Sequence, residues 1–210
     1  MHKRRKLKPI AIILLITVPI VLSILGVGTA GLILTQTQRK QEQLRLEQEA
    51  YEKEQALLRY QENYNQIVTD MLNGAIIAEK DGNLIKTVWY NTIFQVDDTS
   101  TDPYTKVDGV FEQDFNASLE RLFNDSAFKE SIAELDQNQA KVTEEMKALV
   151  NPPEEYEEAY KALKEMYDSY LEFTYIVLYP KGNLTEFSES LLEADNDVSK
   201  KYTNAELYVR

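Results

Sequence analysis

Cysteine is absent from the 210 residues, and histidine occurs once, as His2. The first absence excludes disulfides, thiolate zinc sites, cysteine nucleophiles and an acylated lipobox cysteine. The second excludes a histidine base, a histidine metal ligand or a Ser–His pair anywhere beyond the amino-terminal tail. Basic residues are also scarce where they would matter for nucleic acid. Five of the 23 lie between Lys3 and Lys8, which leaves 18 against all 35 acidic residues in the rest of the chain, a net of −17. That sign opposes contact with phosphate backbones and anionic headgroups, so nucleic acid is excluded as a partner.

What the chain does have is one long apolar run. Residues 10–34 are apolar or small apart from Thr17, Pro19, Ser23 and Thr29. As a helix of roughly 1.5 Å rise per residue the run is long enough for a hydrocarbon core of about 30 Å. The preceding basic cluster holds the amino terminus in the cytoplasm by the positive-inside rule. The expectation is a signal-anchor: a cytoplasmic tail over 1–9, a transmembrane helix over 10–34, and the remainder outside the cell membrane. A cleaved signal peptide is the alternative, with Gly28-Thr29-Ala30 as small residues at a cleavage site, but signal h-regions are shorter than this run. Gly26 and Ala30 form a small-xxx-small pair through which two such helices can meet.

Residues 35–60 are rich in Gln, Glu, Lys and Arg, hold no Pro or Gly and have few apolar positions, which predicts a helical stalk able to pair as a coiled coil. Next comes an apolar series spaced 4-3-4-3: Tyr64, Val68, Met71, Ala75, Ala78, Gly82, Ile85, Trp89, Thr92 and Val96. That repeat predicts one helix of a left-handed bundle, continuing through the turn-like Asp81-Gly82-Asn83. Ala75, Ala78 and Gly82 make a narrow waist capped by Trp89, a candidate inter-helix pocket whose large side chains must come from neighbouring helices.

Residues 97–113 (DDTSTDPYTKVDGVFEQ) show no helical period and read as the longest loop. A second helix is predicted from Asp114 to Val150, with a register slip at Asn124-Asp125-Ser126 that predicts a kink or short break. Asn151-Pro152-Pro153-Glu154 predicts a boundary with Asn151 as N-cap of a third helix. That helix buries Tyr156, Ala159, Leu163, Met166, Tyr170, Phe173 and Val177, and stops before Pro180. Asn183 and Glu186 form an N-cap pair for a fourth helix burying Leu184, Phe187, Leu191, Ala194 and Val198. The fold class is therefore all-α, an antiparallel four-helix bundle over 61–210.

The segments NLIKTVWYNTIF and TDPYT, with NPPEEYEEAYKALKEMYDSY and YPKGNLTEFSESLLEAD, resemble a group of uncharacterised helical-bundle proteins of Gram-positive bacteria that a lipid or single helix holds outside the membrane. The resemblance covers about residues 60–205 and is most specific at Trp89-Tyr90-Asn91 and Asn151-Pro152-Pro153. It implies topology and an exported location, and no activity. The lipid-anchored members differ in having the cysteine that this chain lacks.

No catalytic residue, cofactor or metal is nominated. The acidic run Glu154, Glu155, Glu157 and Glu158 complements a helix dipole. Asp97, Asp98, Asp102 and Asp108 do not follow the calcium-loop spacing. Paired carboxylates for sugar hydrolysis rank last. Six of the 13 tyrosines fall on the third helix, more than one buried stripe needs, so Tyr160, Tyr167 and Tyr175 are the candidate partner surface. The function expected is a non-enzymatic, membrane-tethered binding or scaffold module whose partners are the bilayer, another envelope or membrane protein, or a second copy through the membrane helix or stalk. The alternative is a small-molecule sensory domain working through a partner membrane protein.

Overall fold

The computed structural model describes the backbone of residues 27–210 and the side chains of 35–210. The tail over 1–9 and residues 10–26 of the apolar run lie outside the described residues, as does the side chain of Ala30. Among the described residues no helix is long and apolar enough to cross a membrane.

Helix α1 spans Val27–Phe94 without interruption, so the helix does continue through Gly82. Residues 35–50 expose every side chain, and Arg45 holds Glu42 at 2.5 Å and Glu49 at 3.7 Å along the helix surface. Such exposed pairs contribute a few tenths of a kcal/mol each, about what a solvated helix without a partner gains from its own side chains. Residues 51–210 form a compact unit by themselves. Contacts with the bundle start before residue 61: Lys53 pairs with Glu155 at 2.7 Å, and the Tyr60 ring lies 4.9 Å from that of Tyr156.

From Tyr64 to Thr92 the seven-residue series is buried as its spacing predicts apart from the half-buried Ala75, with Ile67 and Val88 widening the stripe. Val96 is an exception, 38% exposed, because α1 ends before it. Gln95 turns left-handed (φ 52°) and the Val96 N–H closes back on the Asn91 carbonyl at 3.1 Å, a six-to-one capping bond that stops the helix.

Residues 97–113 are not the irregular loop predicted. They hold α2 (Asp102–Thr105) and a two-stranded hairpin, β1 (Lys106–Val107) against β2 (Val110–Phe111). Asp108 (φ 50°) and Gly109 (φ 80°) make the turn that a right-handed strand pair favours, and the Asp-Gly dipeptide was the available sign. Asn91 donates to the Thr101 hydroxyl at 2.8 Å and ties the segment to α1.

The expected second helix is two, α3 (Phe115–Asn124) and α4 (Ser126–Ala148), broken at the slip. Asp125 is extended there and its carboxylate accepts from the N–H groups of Ala127 and Phe128, so it caps α4. The boundary at Asn151 holds but its mechanism differs. Asn151 is left-handed (φ 68°), a conformation asparagine tolerates, and caps nothing; Pro153 instead leads a 3-10 turn over Glu154–Tyr156 into α5 (Glu157–Leu178). The Asn183–Glu186 capping box opens α6 (Leu184–Glu206) as expected.

Trp89 meets Phe115 at 5.2 Å and Phe187 at 5.7 Å, which brings the end of α1 to the starts of α3 and α6. At the other end Tyr64 donates to the Ala205 carbonyl at 2.8 Å, Gln61 to that of Tyr208 at 3.0 Å, and Asn65 to that of Arg210 at 2.8 Å. The arrangement is therefore an up-down-up-down bundle of α1, α3 with α4, α5 and α6, and all-helical in character despite the small hairpin.

Candidate functional site

The waist residues are packed. Ala78 and Gly82 are buried, and a Cβ placed on Gly82 would lie 2.6 Å from Leu191 Cδ1 and 3.1 Å from Val177 Cγ2, so α5 and α6 supply the bulk that the small residues leave room for. Trp89 is 3% exposed, stacked on Phe115. Ala75 is half-buried and borders a shallow cleft of about 140 Å³ with Ile76, Met166 and Tyr202.

The three tyrosines of α5 have different surroundings. Tyr160 and Tyr167 are half-buried against the core, and the Tyr167 hydroxyl is 3.0 Å from that of Thr143 on α4. Tyr175 is 48% exposed, its ring 5.0 Å from that of Tyr179, which is also exposed. Lys181 donates to the Tyr175 hydroxyl at 2.9 Å, and its ammonium lies 5.0 Å from the ring centroid, within the range where a π-face attracts a cation.

Two grooves flank the first four turns of α6. The one shared with α5 has about 480 Å³ and is bordered by Glu172, Tyr175, Ile176, Ser190, Glu193 and Asp197. It continues past Tyr175 toward Tyr179, Lys181 and Glu186. The Asp197 carboxylate accepts a hydrogen bond from Ser169, whereas Glu172 and Glu193 have no ion-pair partner among the described residues. Three carboxylates beside an exposed ring make this groove suited to a basic side chain.

The groove shared with α1 has about 460 Å³ and is apolar, bordered by Lys86, Tyr90, Phe94, Leu184, Ser188 and Glu189. Tyr90 and Phe94 are 48% and 59% exposed with ring centroids 4.5 Å apart, and Ile93 beside them is 45% exposed. Sequence reasoning missed this patch. The available signal was three large apolar residues off the α1 register in its last two turns, where the helix should have been turning polar on its outer face.

The loop aspartates are engaged within the fold. Lys106 bonds Asp97 and lies 3.0 Å from Asp102, while Asp98 accepts from the Ser100 N–H at 2.9 Å. Hydrogen bonds from the Ser100 hydroxyl and N–H, with one from Asn91, hold the Asp98 carboxyl below its usual range against the opposing effect of burial. Among the described residues no three side chains are grouped to hold a metal ion.

The chain matches no family model, no curated protein and no solved structure, so its reading rests on its own residues and geometry.

Proposed function

We propose that this chain is a non-enzymatic binding or scaffold module, anchored in the cell membrane by residues 10–34 with its tail in the cytoplasm and its bundle outside. The apolar run and the basic cluster before it support the anchor. The observation that carries the binding role is the Tyr175–Tyr179 pair beside the groove of α5 and α6, a surface with apolar area, polar tips and two carboxylates, Glu172 and Glu193, that have no ion-pair partner among the described residues. It suits another envelope or membrane protein that presents basic residues. The resemblance to anchored bundle proteins of Gram-positive bacteria agrees with this topology.

The test is crosslinking in native membranes, followed by identification of what co-purifies with the full chain and with a chain ending at Arg59. A protein retained by the full chain, lost on truncation and reduced by Tyr175→Ala with Glu193→Lys supports the reading. Recovery of the same proteins with the truncated chain refutes it.

Small-molecule sensing is the second reading, because the apolar groove beside Tyr90 falls within the roughly 300–1,000 Å³ typical of ligand pockets. A ligand that raises the unfolding temperature of the full chain, but not of a Phe94→Asp variant, would favour it.

A further inference from the structure

We propose that the groove between α1 and α6 is closed by a second copy of this chain, through a two-fold axis parallel to the helices. A 180° rotation about such an axis sets α1 of one copy against α6 of the other. The two walls of this groove fit that operation. Lys86 stands on the α1 wall and Glu189 on the α6 wall, bordering the same cleft, and neither has an ion-pair partner among the described residues. In the rotated pair each Lys86 faces the Glu189 of the second copy, twice over. Tyr90 and Phe94, which project from α1, meet the Leu184–Ser188 wall of the second copy, which has no projecting aromatic ring of its own.

Self-complementarity selects this occupant over others. An isologous interface requires a patch that maps onto itself, with each charge meeting its opposite after rotation. A partner of one sign would satisfy one wall of the groove and repel the other. The contact also withdraws Tyr90, Ile93 and Phe94, the large apolar side chains exposed over the last two turns of α1, from water. The net negative charge of the domain opposes the approach of two copies, so association is expected to strengthen as added salt screens that repulsion. This pairing is distinct from any contact through the membrane segment or stalk.

The chain has no cysteine, so introduced thiols report alone. Two differently tagged full-length chains, one with Thr87→Cys and one with Ser188→Cys, are co-expressed and treated in membranes with a short bis-maleimide. A mixed dimer is expected, and Gln137→Cys on α4 in place of Ser188→Cys is expected to give only background. Lys86→Glu should reduce the mixed dimer about threefold or more, and adding Glu189→Lys should restore it. None of these five positions is buried, so folding is not at stake. The proposal is overturned if the Thr87–Ser188 pair does not exceed the Gln137 control, or if the double charge reversal stays as low as the single. A crosslink at Glu47→Cys with none between Thr87 and Ser188 would likewise overturn it and assign self-association to the stalk.

Discussion

Asp70 and Asp81 sit on the side of α1 that packs against α4, about three turns apart, with exposures of 7% and 1%. Asp70 has partners: Lys141 reaches it at 2.7 Å and Gln66 at 2.8 Å, while Asn138 bonds its carbonyl at 3.1 Å. Burial pushes its carboxyl up, but Lys141 and Gln66 together outweigh that and hold it below the usual range. Asp81 has an oxygen with no hydrogen-bond partner. Burial raises its pKa, with Glu134 adding to the effect and Ser131 and Lys80 opposing it. The lower half of the α1–α4 contact is thus registered by the groups bonded around Asp70, although one oxygen of the neighbouring Glu145 has no hydrogen-bond partner there. The upper half keeps a destabilising acid, and the turn-like Asp81-Gly82-Asn83 stays helical there because Gly82 lets Leu191 and Val177 pack against it.

The largest effect is expected in the lower half. Tyr170 is fully buried and donates to the Asn138 amide oxygen at 2.5 Å, so Tyr170→Ala should cost about 4 kcal/mol in urea unfolding and weaken the Asp70 cluster with it. A loss under about 1 kcal/mol would mean that this cluster does not anchor the contact.

Gly82→Val should be next. Its added carbons meet Leu191 and Val177 with no free space, and overpacking of this kind costs about 1–3 kcal/mol despite the better helix propensity. A stabilised variant would show that the packing at the waist is loose.

The smallest effects differ in sign and test the contrast most directly. Asp81→Asn should stabilise the protein by about 1 kcal/mol at neutral pH, since an ionised, incompletely bonded carboxylate is removed. A raised carboxyl pKa favours the fold only at pH below its ordinary value, and that contribution is lost as pH rises through the folded pKa. The gain from Asp81→Asn should therefore shrink on acidification toward about pH 4. Asp70→Asn should instead destabilise by about 1 kcal/mol at neutral pH, a modest figure because Lys141 is half exposed to solvent. Its depressed pKa stabilises above the ordinary value, and that stability disappears as pH falls through the folded pKa. Equal signs for the two substitutions would abolish the comparison.

Much of the bundle was legible because its signals are local or periodic. The stripe from Tyr64 to Thr92, the stop at Pro180 and the Asn183–Glu186 box each depend on neighbours within a few turns. The hairpin at Asp108-Gly109 lay inside a segment whose polar composition resembled a loop, and strands of two residues leave no alternation to read. The candidate surface was less legible. Helical spacing puts Tyr160, Tyr167 and Tyr175 off the main stripe but cannot say how far the neighbouring helices will cover each, and the bundle covers the first two more than the third. Tyr90 and Phe94 became a groove wall only through the placement of Leu184 on another helix.

The ties from Gln61, Tyr64 and Asn65 to the stretch from Ala205 to Arg210 set an order on assembly as the polypeptide leaves the ribosome or crosses a bilayer. Tyr64 cannot meet the native acceptor of its hydroxyl until some 140 further residues have emerged. Until then α1 presents a long apolar face to whatever is near, including a second nascent chain. Factors that shield helices during synthesis or export would act in that interval, and slow delivery of α6 would prolong it.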